Sequence, residues 1–228
     1  MNCIQSNIPH VSNGEQITDL SARIEYIFSN PALTTDDVHR MCETGKSKKL
    51  AAICIPQWLV AYAKQQLLGT NVKVSTPIGL PDGASATAAK YAEVKEAVKN
   101  GADEVNIPLN MDLIKKGDYL AAKKDLEEAI MPAKGRTSVK AVVESGITSQ
   151  QMMSVIDIVK TSGVSFLTLS TILAQNRHDP EQVGEVVKLC GNDVNLMLMG
   201  NIRDYDSANV LIKAGGYRIG TSSIEVLI

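Results

Sequence analysis

The sequence predicts an α/β fold, a closed (βα)8 barrel in one domain. Short strand-type runs recur roughly every 30 residues, the length of one strand plus its returning helix. Most of these runs are apolar throughout, as strands buried on both faces must be. No linker, low-complexity tract or change in composition divides the 228 residues. The domain is therefore read as 1–228, with residues 1–20 a polar N-terminal extension.

The elements can be justified in chain order. ARIEYIF (22–28) supplies a strand, the eighth in a count that rests first on seven clearer runs. Thr34 or Thr35 caps a helix starting at Asp36, since a hydroxyl oxygen can accept from the unpaired amides of a first turn. AAICI (51–55) and VKVSTP (72–77) are strands, and Gly101 ends the helical stretch KYAEVKEAVKN. EVNIPL (104–109) and VKAVV (139–143) follow. Ser149 caps QQMMSVIDIVKTS, with Gly163 after its end. SFLTLS (165–170) precedes a helix opened by Asp179-Pro180-Glu181, a cap with proline in the first turn. LMLM (196–199), the helix DYDSANVLIKA closed by Gly215, and YRIG near residue 218 complete the set. Strands alternating with helices imply a parallel sheet. Eight units in this length favour closure over a doubly wound sheet, and no glycine-rich nucleotide fingerprint argues otherwise.

Apolar residues make up 44% of the chain, charged residues 21%, and the net charge is −2. Bulk electrostatics therefore give no pull toward nucleic acid or an anionic membrane. No run reaches the length of a membrane span, and the polar N-terminus lacks the apolar core of a signal peptide. The expectation is a cytoplasmic protein. Cys3, Cys42, Cys54 and Cys190 form no CxxC pair, and His10, His39 and His178 are scattered, so neither a disulfide framework nor a metal site is indicated. Cys54, inside AAICI, reads as a small buried hydrophobe.

In such a barrel the reactive groups sit at the C-terminal ends of the strands, and the last two loops often bind phosphate through backbone donors. Two segments suit that task. GTSS (220–223) offers Gly220, Ser222 and Ser223 ahead of a short helix, and MGNIR (199–203) offers Gly200, Asn201 and Arg203. Alone, a GTSS is equally a capped helix start.

The order of segments adds to this. AAICI, GLPDG, GADEV, KKGDY, VKAVVESG, FLTLST, GNIR and RIGTSS succeed one another as in deoxyribose-phosphate aldolases, which the chain closely resembles from about residue 24 to its end. The resemblance implies a TIM barrel, a phosphorylated sugar or aldehyde as ligand, no cofactor, and a homo-oligomer, a dimer by expectation. It implies the class I aldolase reaction, cleavage of 2-deoxyribose 5-phosphate to acetaldehyde and glyceraldehyde 3-phosphate. In that chemistry one lysine forms an imine, a second lysine tunes it by like charge, and an aspartate moves protons.

The family's motifs can be laid on this sequence residue by residue. The imine lysine of F-V-K-T-S-T-G falls at Thr168, within Phe166-Leu167-Thr168-Leu169-Ser170-Thr171-Ile172, and the motif's glycine falls at Ile172. The second lysine, of V-K-A-S-G-G-I-R, falls at Met197, and one of that motif's glycines at Asn201. The aspartate of D-E-I-D falls at Asn106. Threonine has no amine, methionine has no charge, and asparagine accepts no proton at neutral pH. The expectation is a chain inactive in the family reaction that still binds a phosphorylated ligand.

Two other readings stay open: a lyase with altered chemistry using Lys140, and a structural or assembly role. Lys140, in VKAVVE, matches a family lysine facing the barrel interior. It reads as a relocated imine amine, as a cation for an anionic ligand, or as a buried lysine paired with a carboxylate such as Glu144 or Asp103. Lys73 is a second candidate amine.

Overall fold

The computed structural model describes residues 20–30 and 32–228. Eight parallel strands close into one barrel in sequence order: β1 (Ile24–Ile27), β2 (Ala52–Cys54), β3 (Lys73–Pro77), β4 (Glu104–Pro108), β5 (Ser138–Glu144), β6 (Phe166–Ser170), β7 (Asn195–Met199) and β8 (Arg218–Thr221). The seam joins β8 to β1, with Ile24 opposite Ile219 and Tyr26 opposite Thr221. ARIEYIF thus does supply the eighth strand, shortened because Ser21–Arg23 form a 3-10 turn. Of the expected N-terminal extension only Leu20 is described, and it is buried in the core; Cys3 and His10 lie outside the described residues.

The helices are α1 (Thr35–Lys48), α2 (Val60–Gln66), α3 (Thr87–Lys99), α4 (Met111–Lys116), α5 (Tyr119–Ala129), α6 (Ser149–Thr161), α7 (Pro180–Cys190), α8 (Tyr205–Lys213) and α9 (Ile224–Leu227). Their starts follow side-chain chemistry. Thr34 caps α1 in a reciprocal box: its hydroxyl accepts from the Asp37 amide, and the Asp37 carboxylate accepts from the Thr34 amide at 2.8 Å. Asp179 caps α7 with Pro180 in its first turn. The cap of α6 is Thr148, not Ser149: Thr148 has the extended backbone a cap needs and pairs with Gln151, so Ser149 becomes the first helical residue.

Each helix lays one stripe on the barrel. On α1, Val38, Met41, Cys42 and Gly45 are buried, the i, i+3, i+4, i+7 pattern of a single face. A Cβ on Gly45 would stand 3.3 Å from both Ile53 and Val72, so a larger residue there would lift α1 off the strands. The outward strand residues and the helix stripes form one large apolar core, in which Ile53, Val74, Val105, Ile107, Ala141, Leu167, Leu198 and Ile219 are fully or almost fully buried. Alternate residues of the same strands point into the barrel, where the lining is of another kind.

Candidate functional site

At the C-terminal ends of β6, β7 and β8 three loops enclose a pocket of about 540 Å³. Gly200, Asn201, Arg203, Gly220, Ser222 and Ser223 all line it, so both predicted cradle segments meet in one place. Thr171, Ile172, Gln175, Ile27 and Phe28 complete the wall. The loops are tied by polar contacts: Thr171 Oγ1 donates to the Gly200 carbonyl at 3.0 Å, and Thr221 Oγ1 to the Ile202 carbonyl at 2.7 Å. Gly200 has φ +99, and a Cβ there would lie 2.9 Å from the Ile172 amide nitrogen, so the turn requires glycine. Ser223 N–H is spent on Thr221 Oγ1. Among the described residues, the Arg203 guanidinium and the Ser222 hydroxyl have no hydrogen-bond partner.

The loop after β6 is held over this pocket from two sides. Glu144, at the end of β5, accepts from the Leu173 and Ala174 amides at 2.8 and 3.2 Å. His178 reaches the Met199 carbonyl through Nε2 at 3.2 Å, and burial draws its pKa below the ordinary histidine value despite that bond and the charge of Glu144. Ile172 is half exposed on the rim.

Lys140, Asn106, Thr168 and Met197 do not line the rim pocket; they lie in the barrel interior, none more than 4% exposed. Lys140 Nζ donates to Glu25, to Glu104 at 2.8 Å and to Ser75 Oγ at 3.1 Å, which engages all three hydrogens of an ammonium. Arg218 Nη1 bonds the same carboxylates, Glu104 at 2.5 Å and Glu25 at 3.3 Å. Lys73 Nζ stands 3.5 Å from the other Glu104 oxygen. Burial alone would push the Glu104 carboxyl up, but Arg218, then Lys140 and Lys73, hold it well below the usual carboxylate range. Asn106 Nδ2 donates to Ser75 at 2.8 Å and faces Glu25 at 3.3 Å and Cys54 Sγ at 3.4 Å. An aspartate there would set a second carboxylate against Glu25, whereas the amide donates to it. Cys54 is buried as expected, and desolvation, then the charge of Glu25, pushes its thiol up to about 12, so it is no nucleophile at neutral pH.

The expected partners of Lys140 are thus corrected. Asp103 precedes β4 and points outward, where both its oxygens take Lys64 Nζ at 2.8 Å. Glu144 shares the face of Lys140 but lies four residues on, about 13 Å along the strand. The true partners, Glu25 and Glu104, stand in the strand runs ARIEYIF and EVNIPL on the inward-facing alternation. Sequence reading also missed Lys90, a fully buried lysine that bonds Asp125 at 2.5 Å and the Gly83 carbonyl at 2.8 Å, tying the loop after β3 to α5.

Among the described residues no three His, Cys, Asp or Glu side chains are grouped to hold a metal ion, and no helix is long and apolar enough to cross a membrane. What fold and pocket define together is a closed (βα)8 barrel with a polar-lined rim pocket after its last strands. No family model matches the chain. Curated relatives do. A deoxyribose-phosphate aldolase of Clostridium tetani is 30% identical over 201 residues, 88% of this chain and 93% of the relative. One of Streptococcus equi subsp. zooepidemicus is 34% identical over 206 residues, 90% and 93% respectively. A solved structure described as QR15, an aldolase, superposes with a TM-score of 0.86 at 26% identity, covering 92% of this chain and 95% of that one. The chain belongs to the deoxyribose-phosphate aldolase family.

Proposed function

We propose that this chain binds a small phosphorylated ligand at its rim pocket and does not carry out imine-based aldol cleavage. The observation that carries the reading is a separation. The anion-suited groups, Arg203, Asn201, Ser222 and Ser223, gather at the mouth, while the family's amine positions correspond to Thr168 and Met197. Imine formation needs a free amine lone pair within reach of the ligand carbonyl. Lys140 is engaged by two carboxylates and a hydroxyl, and Met197 packs beneath the pocket with its Cε 2.6 Å from where a Gly220 Cβ would stand. The phosphate of a pentose phosphate suits the rim, and the interior positions beneath it hold methionine and threonine, neither of which carries an amine.

Borohydride reduction in the presence of acetaldehyde, followed by peptide mass analysis, tests the chemistry. The expected result is no adduct on any interior lysine and no cleavage of 2-deoxyribose 5-phosphate. A reduced adduct on Lys140 would establish the alternative, a lyase with a relocated amine. That reading is favoured by one observation, that Lys140 is a barrel-interior amine flanked by carboxylates able to move protons. Ligand binding is tested separately by thermal shift, where 2-deoxyribose 5-phosphate should raise Tm in wild type and not in Arg203→Ala.

A further inference from the structure

We propose a second anion site, at the end of the barrel opposite the mouth, taking a phosphate or phosphate monoester of two negative charges. A cavity of about 470 Å³ opens there between the end of α1 and the starts of β3 and β8. Lys46, Lys49, Lys73 and Arg218 converge on it, joined by Thr70 and Asn71. Lysines at the end of a helix are ordinary, since they offset its negative terminus. That accounts for Lys46 and for Lys48 beside it. It does not account for Lys73 and Arg218, which open strands and point inward.

The charges facing this cavity do not cancel. Lys46 is tied to Glu43 at 2.7 Å. Among the described residues, Glu104 and Glu25 are the other carboxylates within reach, and both are shared with Lys140. Among those residues five cations, Lys46, Lys49, Lys73, Lys140 and Arg218, thus stand against three carboxylates. Among the described residues, Lys49 has no ion-pair partner. Its backbone closes α1 in the left-handed region (φ 55, ψ 47). Arg218 is only 2% exposed. It lines the cavity while its bonds to the carboxylates leave from Nη1, so the rest of its planar fork, which is not fully enclosed, is the part that can meet an anion there, the geometry that pairs with a phosphoryl group. Lys73 is 35% exposed and reaches the same space. An anion here would draw on Arg218 and Lys73 from below, in competition with Glu104, and so bear on the interior ion network that holds Lys140.

Titration of the full chain with inorganic phosphate, followed by amide NMR, tests the site. The expected result is two separable sets of shifts, one at Gly200 and Ser222 and one at Lys49, Thr70 and Asn71. Lys46→Gln/Lys49→Gln should weaken the second set about tenfold or more, as loss of charged donors does, and leave the first unchanged. Lys49→Glu alone, a surface change, should have the same sign, and thermal melting checks that both variants fold. Glycerol 1-phosphate in place of inorganic phosphate tells whether the site admits a monoester; tighter binding of either supports it. Shifts confined to the mouth loops would overturn the proposal, as would an unaltered second set in both variants.

Discussion

Strands β2 to β5 line the barrel with Cys54, Ser75, Glu104, Asn106 and Lys140, and Glu25 and Arg218 join them from β1 and β8. Strands β6 and β7 line it with Phe166, Thr168 and Met197; Phe166 and Met197 pack with Tyr217 and Ile27 in a small apolar cluster apart from the main core. The two halves meet where the Arg218 guanidinium lies 4.9 Å from the Phe166 ring centroid. One half is an ion and hydrogen-bond network and the other is mainly packing. The charges that remain inside the barrel pair with one another, so each is indispensable to its neighbours. The apolar half asks only for volume. Residues in the second kind of lining can change without disturbing the first.

The ionic half should yield the largest effect. Glu104→Gln leaves Lys140 and Arg218 buried with one carboxylate between them, and should cost about 3–5 kcal/mol in urea denaturation. A change below about 1 kcal/mol would mean that the network is not structural, and the contrast between halves would fail. The same group sets an acid limb. Its folded pKa lies below the unfolded value, so its contribution is present above the ordinary carboxylate range and is lost as pH falls beneath about 4 toward the folded pKa. Stability of the wild type should drop there more steeply than that of Glu104→Gln.

These halves were unequally legible in the sequence. Barrel strands announce themselves because a strand buried on both faces must be apolar, and seven such runs stand out; helix starts are readable to within one residue, as the shift from Ser149 to Thr148 shows. The rim pocket was legible because its residues come in two short segments whose place at strand ends is fixed by the fold. The interior network was not. Lys140 finds Glu25 at a separation of 115 residues and Glu104 at 36, and which charge meets which depends on strand register and on the barrel's closure. Local sequence holds no trace of that, beyond the oddity of one charge within an apolar run.

The apolar half predicts a middle-sized effect of another origin. Met197 is fully buried, and Met197→Ala should cost about 2–4 kcal/mol through lost contacts and the cavity left behind. Gly220→Ala should cost about 1–2 kcal/mol alone, because its Cβ would stand 2.6 Å from Met197 Cε and 2.7 Å from Ile27 Cδ1. In the Met197→Ala background only the overlap with Ile27 remains, so the cost of the same change should fall, a coupling of about 1 kcal/mol in a double-mutant cycle. Additive costs would show that the two do not share space, and that the half is looser than its packing indicates.

The smallest effect on stability should come from the rim, and it is the most informative about ligand. Ile172 is 49% exposed, so Ile172→Ala removes little buried surface and should change stability by no more than about 0.5 kcal/mol. Its side chain nonetheless overhangs the pocket, with Cγ1 3.0 Å from where a Gly200 Cβ would stand. Trimming it opens the approach to Arg203 and Ser222 without touching either lining of the barrel. The Tm increase given by 2-deoxyribose 5-phosphate should therefore grow in Ile172→Ala, while borohydride trapping with acetaldehyde stays negative. A larger Tm increase accompanied by a new lysine adduct would mean that the mouth, and not the apolar half beneath it, keeps the amine from the ligand. An unchanged Tm increase would place the anion contacts deeper than Ile172, on the Gly220–Ser223 side of the pocket.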